Sequence, residues 1–298
     1  MTRLPAPLSF VLLCAVSLMM EWRALAATLS LALNREEYTH ILLVMPIAAA
    51  LIFLDRHVFR LQPVPGAWWG SAFCFVSAAV AALAKWGPGF QPDTRLSLSM
   101  LALVLWWAGA FVLCFGTRVA QTFLFPLGFL LWMVPIPSFM LAHIITFLQR
   151  WSAFSAQLLF SAVGVPVSQD GFFLTIPGLT VEVAKECSSI RSSLMLVVTT
   201  MVLAQLQLRS PWRKLLLVAV AVPLSVAKNG LRIFTIAMLS IRVDRGFMTG
   251  RLHRQGGIVF LLIALPVVFL LLWVLRKREQ RSAAVAFVPV APLKSPQH

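Results

Sequence analysis

Gly257-Ile258-Val259-Phe260-Leu261-Leu262-Ile263-Ala264-Leu265-Pro266-Val267-Val268-Phe269-Leu270-Leu271-Leu272-Trp273-Val274-Leu275 runs without a charged residue into Arg276-Lys277-Arg278. About 20 apolar residues are needed for a helix to cross a hydrocarbon core of ~30 Å, so this stretch reads as a transmembrane helix closed by a basic stop. Basic residues beside a span mark its cytoplasmic side, which orients the helix as well as identifying it. Similar runs recur towards the N-terminus at about 212–234, 187–207, 119–134, 96–115, 66–84 and 41–54, the last extended back towards Tyr38. An opening run at about 7–33 is interrupted by Glu21, Trp22 and Arg23. The expected fold is an all-α polytopic membrane protein of about eight transmembrane helices.

Composition agrees. Of 298 residues 60% are hydrophobic and only 12% charged, against about a quarter charged in soluble domains. A soluble enzyme is excluded, and any function sits among the spans or just outside them. The formal net charge of +15 does not indicate nucleic acid, because the basic residues punctuate apolar runs instead of sharing a solvated face with stacking aromatics. The opening run also imitates a secretory signal, with Arg3, the apolar Leu8 to Met20 and small residues Ala24 to Ala27. The charged residues between its apolar and small-residue parts favour a retained span, with cleavage of 1–27 left open.

Placing Arg56, Arg60, Arg118, Arg209, Arg213, Lys214 and Arg276 to Arg278 on the cytoplasmic side puts both termini inside. The segment 138–163, apolar but carrying His143, Gln149, Arg150, Ser152, Ser155 and Gln157, must then cross an even number of times. It reads as an interfacial helix that does not cross. Between 164 and 186 the turn formers Asp170-Gly171 and Pro177-Gly178 flank two short β-patterned runs, 172–176 and 179–183. These predict a small external β-hairpin. Residues 1–281 form one multi-pass membrane domain on this reading, and 282–298 a disordered cytoplasmic tail.

Of four cysteines, Cys14, Cys74 and Cys114 lie inside apolar runs, where a thiol behaves as a small hydrophobe. Cys187 instead stands where the polar segment meets a span, at the start of a helix whose dipole favours a thiolate. The same topology brings two further polar sites to the outer side, Lys228-Asn229-Gly230-Leu231-Arg232 and Arg251-Leu252-His253-Arg254. A thiol, a proton relay and a cationic donor are the parts nucleophilic acyl transfer requires. The bland alternatives are a small-residue packing face from Cys187 to Ser193, a snorkelling Arg232 and a helix-anchoring His253. Six outer basic residues, Lys228, Arg232, Arg242, Arg245, Arg251 and Arg254, could equally hold anionic lipid headgroups.

The order of external hairpin, then Val183-Ala184-Lys185-Glu186-Cys187-Ser188-Ser189-Ile190-Arg191, then Asn229-Gly230-Leu231-Arg232-Ile233, then His253 before Gly257 resembles the exosortase and archaeosortase family. The resemblance extends from about Tyr38, in Tyr38-Thr39-His40, to Trp273. It implies a membrane cysteine transpeptidase or protease with Cys187, Arg232 and His253 as catalytic residues. Asn229, Arg191 and Glu186 are the residues expected to orient them or bind substrate. The implied substrates are membrane-anchored exported proteins ending in a sorting signal: a Pro-Glu-Pro-like motif, a span and a basic tail. The implied setting is a bacterial cytoplasmic (inner) membrane with the site on its outer side. Many members have Ala-Cys-Ser-Gly where this chain has Glu186-Cys187-Ser188-Ser189, which leaves the signal subtype open. The acceptor is water, or an amine on a lipid or glycan. No metal or other cofactor and no nucleic acid is expected. A reading from another class is a non-enzymatic component of polysaccharide or protein export that binds anionic lipid or glycan intermediates.

Overall fold

The computed structural model describes residues 5–60, 66–183, 190–248 and 250–286. Among these, six helices are long and apolar enough to cross a membrane, and up to eight spans result if each of two bent helix pairs counts as one. The chain is a polytopic α-helical membrane protein with a small sheet. It divides into two compact units, Met1–Thr146 and Phe147–His298.

In the first unit, the opening apolar run is two helices, α1 (Ala6–Met20) and α2 (Trp22–Asn34), bent by 77° at Glu21. One interrupted span was expected there, and the charged residues that interrupt the run mark the bend. Helix α3 (Ile41–Leu54) follows a short turn of helix at Glu36–Tyr38, so this span does begin near Tyr38. Helices α4 (Ala67–Trp86) and α5 (Pro92–Thr122) pack closely because each offers glycine to the other. A Cβ on Gly70 would meet Leu113 Cγ at 2.5 Å, and one on Gly109 would meet Cys74 Sγ at 2.8 Å. Close backbone approach is the main source of helix association where lipid removes the hydrophobic drive. Gly116, at φ 82°, kinks α5 where two separate spans had been expected to meet. The run expected at 119–134 is not one continuous helix. It is the end of α5, then α6 (Leu124–Phe129) and a tight turn at Leu130–Met133, since the break at Phe123 interrupts it.

Helix α7 (Ser138–Ala162) begins in the first unit, and its later turns belong to the second. Its 25 residues span ~37 Å, long enough to cross a membrane as well as to lie along one. Phe147, Trp151, Phe154 and Leu158 are exposed, while Gln149, Ser152, Ala153, Ala156 and Phe160 are buried. Two of the polar residues that suggested an interfacial helix therefore face protein, and the helix turns an apolar, aromatic face outwards.

The segment expected to be a two-stranded external hairpin is a three-stranded antiparallel sheet. Its strands are β1 (Ser168–Asp170), β2 (Phe173–Ile176) and β3 (Leu179–Glu182), in that order. Gly171 at φ 57° and Gly178 at φ 82° supply the left-handed turn positions between them. Ser168-Gln169-Asp170 is too short and too polar to show alternation, so only its pairing with Asp170↔Phe173 register reveals it as a strand. Leu174, Ile176 and Val181 turn one face inwards onto Ala153, Ala156 and Phe160 of α7 and Ile233 and Ala237 further on.

Helices α8 (Ile190–Gln207), α9 (Pro211–Arg242) and α10 (Arg251–Ala286) complete the second unit. Leu196, Ala204, Leu217, Ala264, Val268 and Leu272 are among the residues that form their shared core. At one end, Glu279 accepts hydrogen bonds from the backbone N–H of Arg209 (3.1 Å) and Ser210 (2.7 Å) and pairs with Arg213 at 3.5 Å. Helix α10 continues through 282–286, residues expected to begin a disordered tail; 287–298 lie outside the described residues.

Candidate active site

The polar layer of the second unit is built from α9 outwards. At 32 residues this helix is ~48 Å long, well beyond a hydrocarbon core, and Lys228, Asn229 and Arg232 lie past its midpoint. All three are buried, at 4%, 1% and 6% exposure. A snorkelling role, with the charge reaching out to headgroups or water, does not fit that burial. Each is instead met by another helix.

Helix α7 approaches at Gly230. A Cβ there would stand 2.4 Å from Ser155 Oγ and 3.0 Å from the Ala156 backbone nitrogen, so only glycine fits. The close crossing lets Asn229 Nδ2 donate to Ser152 Oγ at 2.9 Å, satisfying two groups that hydrocarbon would leave unpaired. One turn earlier along α7, Gln149 Nε2 donates to the Val183 carbonyl at 2.7 Å. That bond fixes the fully buried end of the sheet to the same helix.

Helix α8 approaches through its first turn, where Lys228 Nζ donates to Ser192 Oγ. Helix α10 approaches with two glycines. A Cβ on Gly256 would meet Arg232 Nε at 3.2 Å, and one on Gly257 would lie 3.8 Å from Ser192. The N-terminal ends of α8 and α10 thus meet the C-terminal half of α9 at one level. Both helices present their positive dipole ends there, beside the basic side chains of Lys228 and Arg232.

A model of the transmembrane exosortase family matches residues 22–274, most of the chain. The protein belongs to this family. No curated protein and no solved structure matches the chain. Exosortases sit in a membrane and act as transpeptidases or proteases on proteins with C-terminal sorting signals.

Of the exosortase-like residues singled out from sequence, Asn229 and Arg232 lie in this layer. Position 253 lies in the first turn of α10, three residues before the glycine that rests on Arg232. Cys187 and Glu186 lie outside the described residues, between buried Val183 and buried Ile190. Arg191 is exposed while the adjacent Ser192 and Ser193 are buried, so it does not share their environment. Tyr38 and His40 belong to the first unit. The Tyr38 hydroxyl donates to the Ile136 carbonyl at 2.9 Å, and His40 is buried with its ring edge-on to Trp132. Lys228 was read from sequence as one of the polar residues beside Arg232, whereas Ser152 and Gln149 were not placed in the site. The signal for these two was spacing: Gln149 precedes Ser152 by three residues, which puts both on one face of a helix.

Proposed function

We propose that this exosortase is a cysteine transpeptidase or protease of the bacterial cytoplasmic membrane, acting at its outer face on sorting signals of the Pro-Glu-Pro type. The observation that carries the reading is the burial of Arg232 where the starts of α8 and α10 converge, since these are the ends from which Cys187 and His253 are supplied.

Depth supports it. Arg213 and Lys214 on α9 and Arg276 to Arg278 on α10 share the end closed by Glu279. Arg232 lies 19 residues, ~28 Å, along α9 from Arg213. With the basic end at the cytoplasmic headgroups, the polar layer comes just beneath the opposite surface. N- and C-termini are then both cytoplasmic.

In this mechanism the Cys187 thiolate adds to the carbonyl carbon of the scissile peptide. Arg232 donates to the developing oxyanion through its planar fork. The C–N bond breaks, the released amine takes a proton from His253, and the acyl group remains on Cys187 as a thioester. Water or an amine on a lipid or glycan then adds while His253 takes its proton. The C–S bond breaks and the thiolate is restored. Asn229, tied to Ser152, holds the turn of α9 that carries Arg232.

The test is a membrane-anchored reporter ending in the motif, a span and an arginine-rich tail, followed by size. Cys187→Ala abolishes processing on this reading. Unchanged processing overturns it and favours the non-enzymatic export component, in which Cys187 is dispensable and the outer arginines matter. A membrane-impermeant thiol reagent reaches Cys187 from outside the cell; labelling confined to the cytoplasmic side contradicts the topology.

A further inference from the structure

Lys228 is 4% exposed, within a helix long enough to cross the membrane, and its ammonium donates to the neutral hydroxyl of Ser192. An ammonium has three N–H donors, and one hydroxyl does not offset its removal from water. Arg232, one turn further along α9, adds like charge to the same face. The carboxylates described in the second unit lie elsewhere. Asp170, Glu182 and Asp244 are exposed, and Glu279 is engaged at the opposite end with Arg209, Ser210 and Arg213. The Ser193 hydroxyl, next to the one Lys228 binds, is buried without a hydrogen-bond partner among the described residues. A buried cation with a neutral partner, close to a buried hydroxyl left without a partner on the next residue of α8, is an environment that a carboxylate would compensate by accepting from the ammonium.

We propose that Lys228 is a specificity-determining residue that receives an acidic side chain of the peptide substrate beside the scissile bond. The inference rests on the proposed function, because it places that peptide at the polar layer. Charge pairing with substrate gives a buried lysine a role here. Without substrate the ammonium is under-solvated, and a neutral peptide leaves it so. An acidic side chain compensates it as the peptide docks, and that difference becomes discrimination.

The experiment uses the full-length protein in membranes and three versions of the reporter, with Glu, Gln or Lys at the acidic position of the motif. Wild type processes the Glu version roughly 30-fold or more faster than the Gln version, the ratio expected for one desolvated charge pair. Lys228→Met brings this ratio close to one, and because it compares two reporters within one variant it does not depend on expression level. Lys228→Glu prefers the Lys reporter over the Glu reporter. Lys228→Met retaining the full Glu-over-Gln preference, or Lys228→Glu still preferring Glu, overturns the proposal. So does restoration of Lys228→Glu by Glu186→Lys with the unaltered reporter, which would make the counter-ion part of the chain. A Lys228→Met defect that follows only the anionic lipid content of proteoliposomes, with the reporter ratio unchanged, also overturns it. Wild type processing none of the reporters refutes the proposed function itself, a result distinct from all of these.

Discussion

Gly256 lies so close to Arg232 that a Cβ on it would stand 3.2 Å from Nε of the guanidinium, and the side chain would have to yield by a few tenths of an ångström. The start of α10 therefore sets where the Arg232 fork points. Gly256→Ala is expected to slow reporter processing several-fold, and Gly256→Leu by about 100-fold, the penalty for displacing a positioned group by ~1 Å. Processing rates normalised to membrane-inserted protein check this; full activity in Gly256→Leu would show that the contact does not matter.

Arg232→Lys keeps the charge and loses the fork. If the guanidinium holds the oxyanion by directed N–H donors, the variant falls by about 100- to 1,000-fold in turnover with little change in substrate affinity. A variant within a few-fold of wild type would reduce Arg232 to a source of positive potential.

Gly230→Ala forces α7 and α9 apart, because the new methyl would overlap Ser155 at 2.4 Å and crowd the Ala156 backbone at 3.0 Å. The expected loss is about 1–3 kcal/mol of stability. Thermal unfolding in detergent reads it, and adding Ser155→Gly should recover part, since it removes the side-chain overlap but not the backbone one.

Asn229 and Ser152 are coupled through a buried 2.9 Å hydrogen bond. Each single alanine variant strands the other partner and should cost about 1–3 kcal/mol, whereas the double variant should cost less than the sum. Additive effects in that cycle would mean the bond contributes nothing beyond its separate groups.

Glu279→Ala removes the acceptor for the Arg209 and Ser210 N–H groups just before α9 and the partner of Arg213. A loss of about 1 kcal/mol in stability is expected, with reporter turnover per folded molecule unchanged, because this end of the bundle is remote from the polar layer. A selective drop in turnover would argue that the two ends communicate.

Much of the architecture was legible in order along the chain. The start of α3 near Tyr38, the break at Gly116, and the runs that became α8, α9 and α10 follow from where apolar stretches meet glycine, proline and charge. The bend at Glu21 and the strand at Ser168–Asp170 did not emerge, the first because hydropathy is blind to direction and the second because three polar residues carry no alternation. Asn229 and Arg232 could be singled out as polar groups in an apolar helix, a costly arrangement in lipid. The partners that receive them could not.

The sequence by itself determined that this chain spans a membrane several times and which part of α9 carries charge within an apolar run, because transfer into hydrocarbon depends on residue type and run length. Only the tertiary structure decided that Lys228 and Arg232 turn inwards, that Gln149 and Ser152 of α7 face protein, and that Gly256 brings α10 onto Arg232 while Gly257 brings it towards Ser192. Helices in lipid associate through close steric fit and buried polar contacts between residues far apart in the chain, and no average taken along one helix contains the shape of its neighbour.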